Sequence, residues 1–594
     1  MKKIKFLLFV LLALLYVTNA SALIKNDTFT RDGNTYIVTK MDEAHDGIPQ
    51  TYNVAFVSST NTTVNIPATV ADPNNQYTFN VTAIANNSTV PNATSVTMPN
   101  TIVSIEANAF KGGHITSITI PKSVTEIKSG AFGQMSYLTA INVDAANPNF
   151  RSDNGVLIEK KDSKEWVAAY PLARPDAEYT VPEGVYGVYT NAFQRASYLT
   201  KITLPASLKE SPSTAEFNGY TSAQNLREIA VAAGNTAFKS VDGVLLSADG
   251  KKLIAYPNGK AGSPSTNPAY QGVTGQPNAS VYKIPDGVES IEQAAFAQVN
   301  GLTAIELNGV KKLAKGAFDK AVKLRNVLLG PSVDTIEDGA FGGNNDLAAF
   351  DVDPANPNYA ADNGVIYTKN KEELVLFPAG KAGEYTTLPT TKKIRNRAFY
   401  YAQKVTKVTF NSNLEIIDND AFQATTNLEN ITFEAPAKIK TIGTFAFQGS
   451  GLTELNIPAS LEVVSWSAFG STKLKKVTVA DGSQLQSINK AAFNGCKDLA
   501  EFTFEGSSTL NRIQEDAFSG DDKLKSFVIP EKVTVLERGA FNGASGLETI
   551  TFKQPATMTI IGEGAFQNAK ALKRIELPST VTTISKDAFN TCSS

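Results

Sequence analysis

The chain has 594 residues, of which 42% are hydrophobic and 19% are charged. That composition is typical of a folded chain and excludes wholesale disorder. The 55 basic and 57 acidic side chains nearly cancel, leaving a net charge of −2, which excludes a protein that wraps nucleic acid or adheres broadly to anionic membranes.

The first residues, 1–22, predict a secretory signal peptide. Lys2, Lys3 and Lys5 precede an apolar run over 6–17, and Ala20-Ser21-Ala22 offers a small-residue cleavage site. An uncleaved anchor would need a longer helix, because spanning a bilayer takes about 20 apolar residues. We therefore expect an exported chain, at the cell surface or extracellular, whose mature form has no transmembrane segment.

Residues 23–65 predict a small N-terminal β cap. Two runs rich in β-branched and aromatic residues flank the turn residues Asp32-Gly33, a pattern that favours antiparallel strands. The end of a repeat array exposes an apolar coil face, so an atypical capping segment is needed there.

From 66 to 594 one unit recurs, seen most clearly between Leu547 and Pro578. It reads Leu-x-x-Ile-x-Leu, then an apolar-x-x-Ile segment, then an Ala-Phe pair. The phenylalanines of these pairs lie 22 to 25 residues apart, except at gaps of 61, 103 and 58. They are Phe110, Phe132, Phe193, Phe296, Phe318, Phe341, Phe399, Phe422, Phe447, Phe469, Phe493, Phe518, Phe541, Phe566 and Phe589. Such a period predicts a β-rich solenoid with leucine-rich repeats.

Each Leu-x-x-Ile-x-Leu segment, such as Leu499–Phe504, predicts a strand. Side chains alternate along a strand, so the fourth and sixth positions should point inward and the third and fifth outward. Stacked coils would align these strands in one long parallel sheet. The Ala-Phe phenylalanine is expected to fill the centre of its coil, opposite an isoleucine on the far side.

Three insertions interrupt the array near 147–171, 235–257 and 356–378. Each contains Asn-Gly or Asp-Gly, a β-rich run, a polar turn and a second run closed by an aromatic-Pro pair. We interpret each as a β-hairpin attached to the solenoid. The residues after the second insertion, 258–280, are rich in Gly, Ser, Pro and Asn and predict a loop without regular structure.

The two cysteines, Cys496 and Cys592, occupy the same register of coils four apart. At roughly 4.8 Å per coil they would lie about 19 Å apart, and a disulfide needs Cα atoms within about 7 Å. We therefore expect two free thiols that serve as small interior residues.

Residues for catalysis are scarce. The two histidines, His45 and His114, have no carboxylate in a matching register, and no nucleophile-elbow, phosphate-loop or zinc-protease motif occurs. The oxygen-rich stretch from Asp351 resembles a calcium loop, but Ala355 breaks the EF-hand spacing, which favours turn chemistry instead. We expect no enzyme and no cofactor, and the sequence leaves metal binding open.

The outward strand positions, with the indole of Trp466, are the candidate binding face. Threonine and mixed charges dominate, an arrangement explained either by solubility and β propensity or by a broad polar surface for partners. The candidate residues are Lys201, Thr203, Glu306, Asn430, Thr432, Glu454, Asn456, Trp466, Lys476, Thr478, Glu501, Thr503, Thr551, Arg574 and Glu576.

The unit LPxxVxxIxxxAFxxxxxLxxIxLP, the NGVLxxxxxxxLxxYP insertions and the signal peptide closely resemble the BspA-like (Treponema pallidum-type) leucine-rich repeat family of bacterial surface and secreted proteins. The resemblance covers about 66–594 and implies an adhesin-like role, with a host extracellular-matrix protein, a bacterial surface protein or a glycan as partner. It implies no catalytic residues. A structural envelope scaffold without a soluble ligand is the alternative, and a monomer is favoured. The sequence shows no C-terminal anchor and no appended binding module, which leaves the mode of attachment open.

Overall fold

The computed structural model describes residues 23–42, 51–189, 192–210, 223–264 and 280–592. The predicted signal peptide lies outside the described residues. The described residues form strands and turns without a helix, and none of them forms a helix long and apolar enough to cross a membrane. The chain divides into two compact units, Met1–Pro212 with Ala232–Asn235, and Ser213–Val231 with Thr236–Ser594.

The strands of the first unit are β1 (Thr28–Arg31), β2 (Asn34–Asp42), β3 (Thr51–Ser59), β4 (Thr63–Asn65), β5 (Thr69–Ala71), β6 (Thr78–Thr89), β7 (Ser95–Thr97), β8 (Ser104–Ile105), β9 (Ser117–Ile120), β10 (Glu126–Ile127), β11 (Ala140–Val143), β12 (Phe150–Asp153), β13 (Val156–Lys161), β14 (Lys164–Ala169), β15 (Glu178–Thr180), β16 (Val185–Val188) and β17 (Lys201–Leu204).

The strands of the second unit are β18 (Glu228–Val231), β19 (Phe238–Val241), β20 (Val244–Ser247), β21 (Lys252–Ala255), β22 (Ser263–Pro264), β23 (Ser280–Lys283), β24 (Ser290–Ile291), β25 (Ala304–Leu307), β26 (Lys312–Leu313), β27 (Asn326–Leu329), β28 (Thr335–Ile336), β29 (Ala349–Val352), β30 (Tyr359–Asp362), β31 (Val365–Thr368), β32 (Glu373–Leu376), β33 (Gly383–Thr386), β34 (Lys393–Ile394), β35 (Val405–Phe410), β36 (Ile416–Ile417), β37 (Asn430–Phe433), β38 (Thr441–Ile442), β39 (Glu454–Ile457), β40 (Val463–Val464), β41 (Lys476–Val479), β42 (Ser487–Ile488), β43 (Glu501–Phe504), β44 (Arg512–Ile513), β45 (Ser526–Ile529), β46 (Val535–Leu536), β47 (Thr549–Phe552), β48 (Ile560–Ile561), β49 (Arg574–Ile575) and β50 (Thr583–Ile584).

Each coil contains two strands, which we call front and back. The front strand is the last four residues of the Leu-x-x-Ile-x-Leu segment, as in β43, and the back strand is a two-residue segment that ends shortly before Ala-Phe, as in β44. In that coil Leu499, Ile513 and Phe518 are fully buried and Phe502 is 3% exposed. Apolar side chains from both strands and from the turn therefore meet inside the coil, and the fold is the predicted β-solenoid.

The longest sheet runs along the back of the coils rather than the front. Twelve strands join from β30 to β50, and from β32 onward neighbouring strands are parallel. The front strands form shorter sheets, such as β39-β41-β43. The long parallel sheet is therefore present, but its expected location on the Leu-x-x-Ile-x-Leu strands is wrong. Two-residue strands are too short for their sequence pattern to reveal the pairing.

The Ala-Phe phenylalanines form stacked columns in the second unit. From Phe377 through Phe399 to Phe589, each ring lies over the next with centroids 4.3 to 5.6 Å apart. A shorter column runs from Tyr256 to Phe341. Offset parallel stacking is favourable for aromatic pairs, so each ring packs its own coil and joins it to the neighbouring coil.

Each insertion adds three antiparallel strands, one more than a simple hairpin. In the third insertion β30 pairs with β31 and β31 pairs with β32. β32 then pairs in parallel with β34 and serves as a back strand. The aromatic residue before proline occupies the place of the Ala-Phe phenylalanine, since Phe377 stacks on Phe399 and Tyr256 on Phe296. An aromatic residue before proline therefore stands in for an Ala-Phe phenylalanine within each gap of the phenylalanine period.

A buried asparagine anchors the start of an insertion. The side-chain amide of Asn356 donates to the carbonyls of Gly330 and Val333 in the preceding coil, at 2.8 and 3.0 Å. Its Oδ1 accepts the backbone N–H groups of Asn358 and Tyr359. The oxygen-rich stretch that begins at Asp351 is thus engaged in turn and coil contacts, and Asn147 makes the equivalent bonds in the first insertion.

The N-terminal strands join the coils directly. β1 pairs with β2 and β2 with β3 in antiparallel fashion, and β3 pairs in parallel with β6. The Phe56 ring lies 6.1 Å from that of Phe110, the first Ala-Phe phenylalanine. Within the range predicted as cap, β4 already pairs in parallel with β7, so the coil pattern begins before residue 66.

Two smaller expectations agree with the structure only in part. Both cysteines are free, as expected, but only Cys496 is fully buried, while Cys592 in the last coil is half-buried. The segment 258–280, expected to lack regular structure, contains β22, which pairs with β23. Its residues 265–279 lie outside the described residues.

Candidate binding face

Three adjacent front strands bring six of the predicted residues together. In β39, β41 and β43 the third positions, Glu454, Lys476 and Glu501, lie side by side in register, and so do the fifth positions, Asn456, Thr478 and Thr503. The residues between them, such as Leu455 and Val477, are buried. We call these two sets the front rows. They exist because the inward positions alone satisfy the apolar core and leave the alternate positions at the surface.

The charges in the front rows alternate along the sheet. Lys476 lies between Glu454 and Glu501, and its Nζ is 3.3 Å from the Glu501 carboxylate. The side chains of Lys476 and Glu501 are 47% and 50% exposed, and an ion pair in that position contributes about 0–1 kcal/mol to stability. Packing therefore does not require these charges, and they remain accessible to a partner.

The other predicted residues lie on separate sheets, and none is buried. Asn430 and Thr432 are on β37, Thr551 is on β47 and Arg574 is on β49. Glu306 is half-buried on β25, and Glu576 follows β49 and pairs with Arg574 at 2.7 Å. Lys201 and Thr203 lie on β17 in the first unit, in register with Glu178 and Thr180.

Trp466 does not join the front rows. It follows the back strand β40, and its ring packs against Phe445 with centroids 4.7 Å apart. The side chain is 48% exposed, so the predicted exposure is correct. Its place beside the back sheet separates it from the front strands of its own coil.

The rule that third positions point outward is wrong for two strands. Ala304 on β25 and Asn326 on β27 are third positions, yet they are 0% and 3% exposed. Ala304 belongs to a small apolar cluster with Val281 and the half-buried Leu328. An apolar residue at an outward position creates a second packing surface there, which a count of strand positions does not reveal.

The Leu-x-x-Ile-x-Leu pattern misses front strands that lack the leucine, such as β15, β33 and β35. β35 begins with Val405 instead of leucine, and its outward side chains, Lys407 and Thr409, lie in register with Asn430 and Thr432. Lys407 also pairs with Glu384 on β33 at 3.3 Å. The alternation in the segment VTKVTF is the signal that would have found it.

The described residues offer little for catalysis. Among them, no three His, Cys, Asp or Glu side chains are grouped so that they could hold a metal ion. His114 packs against Tyr137, with ring centroids 4.6 Å apart, and His45 lies outside the described residues. Burial raises the pKa of Cys496 and of Asp521, whose Oδ1 accepts the backbone N–H of Cys496 at 2.8 Å. Both groups are fully buried.

Comparison with known proteins gives a family match over most of the chain. The sequence model of a family described as "BspA type Leucine rich repeat region (6 copies)" matches residues 52–153, 177–241, 275–370, 381–499 and 482–594. None of the curated proteins compared with the chain matches it.

Solved bacterial structures resemble the chain at low identity. A leucine rich cell surface protein from Faecalibacterium prausnitzii is 16% identical over 90% of this chain and 96% of its own, with a TM-score of 0.31. The pneumococcal vaccine antigen PcpA is 18% identical over 90% and 100%, with a TM-score of 0.31. A leucine-rich repeat protein from Bacteroides ovatus is 17% identical over 94% and 100%, with a TM-score of 0.33.

The family match spans far more than half of the sequence, and its repeat is the coil that the structure shows. The chain therefore belongs to the family of proteins with BspA type leucine-rich repeats.

Proposed function

We propose that the protein is an exported, non-enzymatic bacterial surface protein that binds a protein partner, in an adhesin-like role, through the front rows of β39, β41 and β43. The observation that carries the proposal is the pair of front rows. Their six side chains point outward, and their polar or charged ends are not needed for packing of the core. Membership in the BspA type repeat family supports a binding role.

The geometry of the front rows suits a polypeptide. Neighbouring strands lie about 4.8 Å apart, so each row offers regularly spaced groups along the sheet. The Glu454–Lys476–Glu501 row fits a partner that presents basic groups on either side of an acidic one, and the Asn456–Thr478–Thr503 row adds amide and hydroxyl groups. Because the Glu454–Lys476–Glu501 row has two carboxylates and one ammonium group, its net negative charge disfavours binding of a nucleic acid.

Export rests on residues 1–22, whose basic start, apolar run and small-residue site have the form of a cleavable signal peptide. An exported repeat protein with accessible charged rows meets its partners outside the cell. Host extracellular-matrix proteins and surface proteins of other bacteria are the partner classes that this location allows.

The test uses the mature protein, from residue 23, on an array of extracellular-matrix proteins and purified bacterial surface proteins. Saturable binding to a defined protein on the array supports the proposal. Silence across the array, together with retention of the native protein in envelope fractions of the producing cell, would instead support a structural scaffold. Turnover of a substrate that disappears with Glu454→Gln would contradict a binding role without catalysis.

A further inference from the structure

The first insertion has a group of aromatic side chains on its surface that the other insertions lack. Trp166 on β14 stacks on Tyr189, with ring centroids 5.0 Å apart and planes 5° apart. Tyr186 on β16 meets the edge of Trp166 at 5.5 Å, and Lys164 Nζ lies 3.7 Å from the Tyr186 ring centre. All three rings are only partly buried, so aromatic surface remains available to solvent.

The local backbone is adapted to hold the indole. Trp166 lies opposite Gly187 in the parallel pairing of β14 and β16. A Cβ atom at Gly187 would come within 2.4 Å of Trp166 Cζ3, so any larger residue would displace the ring. The tryptophan therefore lies directly against the strand, and this contact fixes its position.

The other insertions show that the fold does not need aromatic residues there. Trp166 and Glu373 lie at the same distance before the aromatic residue that precedes proline in their insertions, so they correspond. Tyr189 and Arg395 correspond in the same way, because each lies at the same distance before the next Ala-Phe phenylalanine. Glu373 and Arg395 form an ion pair, with Nε 2.5 Å from the carboxylate. The residues at the position of Tyr186 also form ion pairs in the other two insertions. In the second, Glu289 pairs with Lys251 at 3.1 Å, and in the third, Lys392 pairs with Glu372 at 2.6 Å.

A cleft of about 690 Å³ includes Tyr189 of this aromatic group in its lining, and Trp166 reaches it through its stacking on Tyr189. Its walls are the segment 125–133, strands β13 and β14, and Tyr189 to Gln194 among the described residues. Leu172, Ala168 and Ala169 supply partly exposed apolar surface, and the buried Phe132, Leu157 and Tyr170 lie behind it. The volume falls within the roughly 300–1,000 Å³ typical of sites for small ligands.

Two small residues open the cleft. Ala168 and Ala169 line it, and the corresponding residues of the third insertion are Val375 and Leu376. Those larger side chains are 4% and 7% exposed and belong to the same core cluster as Phe341. The alanines of the first insertion lack the side-chain atoms with which Val375 and Leu376 fill the space between the third insertion and the preceding coil.

Polar groups converge on the same cleft. Glu159 lines it and accepts a hydrogen bond from the Tyr189 hydroxyl, whose pKa is raised by burial and by that carboxylate. Asn149, Gln194 and the exposed Lys160 and Lys161 also line it. Carboxylate, amide and ammonium groups beside aromatic rings can bond the hydroxyls of a sugar while its apolar C–H face covers a ring.

We infer that the cleft of the first insertion, with Tyr189 in its wall and Trp166 stacked on Tyr189, is a binding site for an oligosaccharide. A peptide would also bury an aromatic surface, but the mixture of separate hydrogen-bonding groups with exposed rings suits a hydroxyl-rich ligand with apolar faces. The site lies in the first unit and shares no residue with the front rows, so either proposal can fail without the other.

The experiment follows Trp166 fluorescence in the mature protein carrying Trp466→Phe, since the chain has 2 tryptophans. The probes are soluble oligosaccharides of glucose, of N-acetylglucosamine, of galactose and of galacturonic acid, with a random peptide library as the competing class. At least one saccharide should give a saturable change in emission. Saturable binding of peptides with no response to any saccharide overturns the inference, and so does silence toward all the probes.

Two variants copy the third insertion into the first. Trp166→Glu with Tyr189→Arg rebuilds the Glu373–Arg395 ion pair, and Ala168→Val with Ala169→Leu fills the cleft. Calorimetric binding of the responsive saccharide should weaken at least about tenfold in each variant, because each removes stacking or volume that the ligand uses. Their melting temperatures should stay near that of the parent, and unchanged affinity in both variants contradicts the inference.

Discussion

The ring of Phe447 lies over that of Phe469 in the next coil, with centroids 5.3 Å apart and planes inclined by 2°. Both side chains are fully buried. The same relationship links successive coils to the end of the second unit, so one residue type packs each coil and joins it to its neighbours. Loss of one ring therefore affects two interfaces between coils.

Phe518→Ala should destabilise the second unit by about 3–5 kcal/mol, the usual cost of removing a buried phenylalanine. Phe518 is fully buried and stacks on both Phe493 and Phe541. Urea unfolding followed by circular dichroism measures the change. Phe589→Ala is the matched control, because Phe589 is half-buried and stacks on one ring only. An equal loss in both variants would contradict the column as the main source of coil stability.

Asn356→Ala should cost about 1–3 kcal/mol, since it leaves the carbonyls of Gly330 and Val333 without the amide that they accept from. The control is Asn358→Ala, whose exposed side chain makes one long contact of 3.5 Å. Thermal melting compares the two variants. If Asn358→Ala proves as costly as Asn356→Ala, the buried amide is not the anchor of the insertion.

Asp521→Asn should stabilise the protein at neutral pH. Burial raises the pKa of Asp521 well above its usual range, and its Oδ2 has no hydrogen-bond partner among the described residues. A carboxyl whose folded pKa is raised contributes most below the ordinary carboxyl pKa of about 4, and that contribution is lost as the pH rises through the folded value.

The gain from Asp521→Asn should therefore be absent near pH 3 and present at pH 7, because the buried carboxyl loses its stabilising contribution as the pH rises through its raised pKa and the amide does not titrate. Urea unfolding of both proteins at these two pH values measures it. Asp522→Asn, at the exposed neighbouring position, is the control and should show a smaller gain, because the Asp522 charge raises the pKa of Asp521 less than burial does. Parallel pH profiles for Asp521→Asn and the parent would contradict a buried carboxyl with a raised pKa.

Thr503→Lys should leave the unfolding free energy within about 0.5 kcal/mol of the parent, because Thr503 is only half-buried and its hydroxyl makes one long contact of 3.5 Å, to the Val477 carbonyl. Phe502→Lys, one residue earlier and buried at 3% exposure, should unfold the coil. Differential scanning calorimetry separates the two outcomes. Unfolding by Thr503→Lys would show that the assignment of inside and outside is wrong.

The repeat made the coils predictable because Leu, Ile, Ala and Phe return in constant register. The back sheet was not predictable, since segments as short as Arg512–Ile513 show no period. Phe377 lacks the preceding alanine that marks the other column residues, so its place in the column shows only in the structure. The pairing of Trp166 with Tyr189 depends on Gly187, which a front-strand pattern does not reach.

The candidate face was also predictable only in part. Alternation along each strand correctly placed Glu454, Lys476 and Glu501 at the surface, because alternation is local. It could not say which strands pair, and it therefore grouped Trp466 with residues of another sheet. It also missed the packing of Ala304, which depends on neighbouring strands.

The most direct test of the central claim compares two variants for binding to the protein identified on the array. The front variant, Glu454→Lys with Glu501→Lys, reverses the two negative charges of the Glu454–Lys476–Glu501 row. The back variant, Glu515→Lys with Glu537→Lys, changes the net charge by the same amount beside the back strands, where these carboxylates pair with Lys490 and Arg512. Surface plasmon resonance should show at least about a tenfold loss of affinity for the front variant and parental affinity for the back variant. Parental affinity in the front variant, or equal loss in both, would contradict the front rows as the binding face.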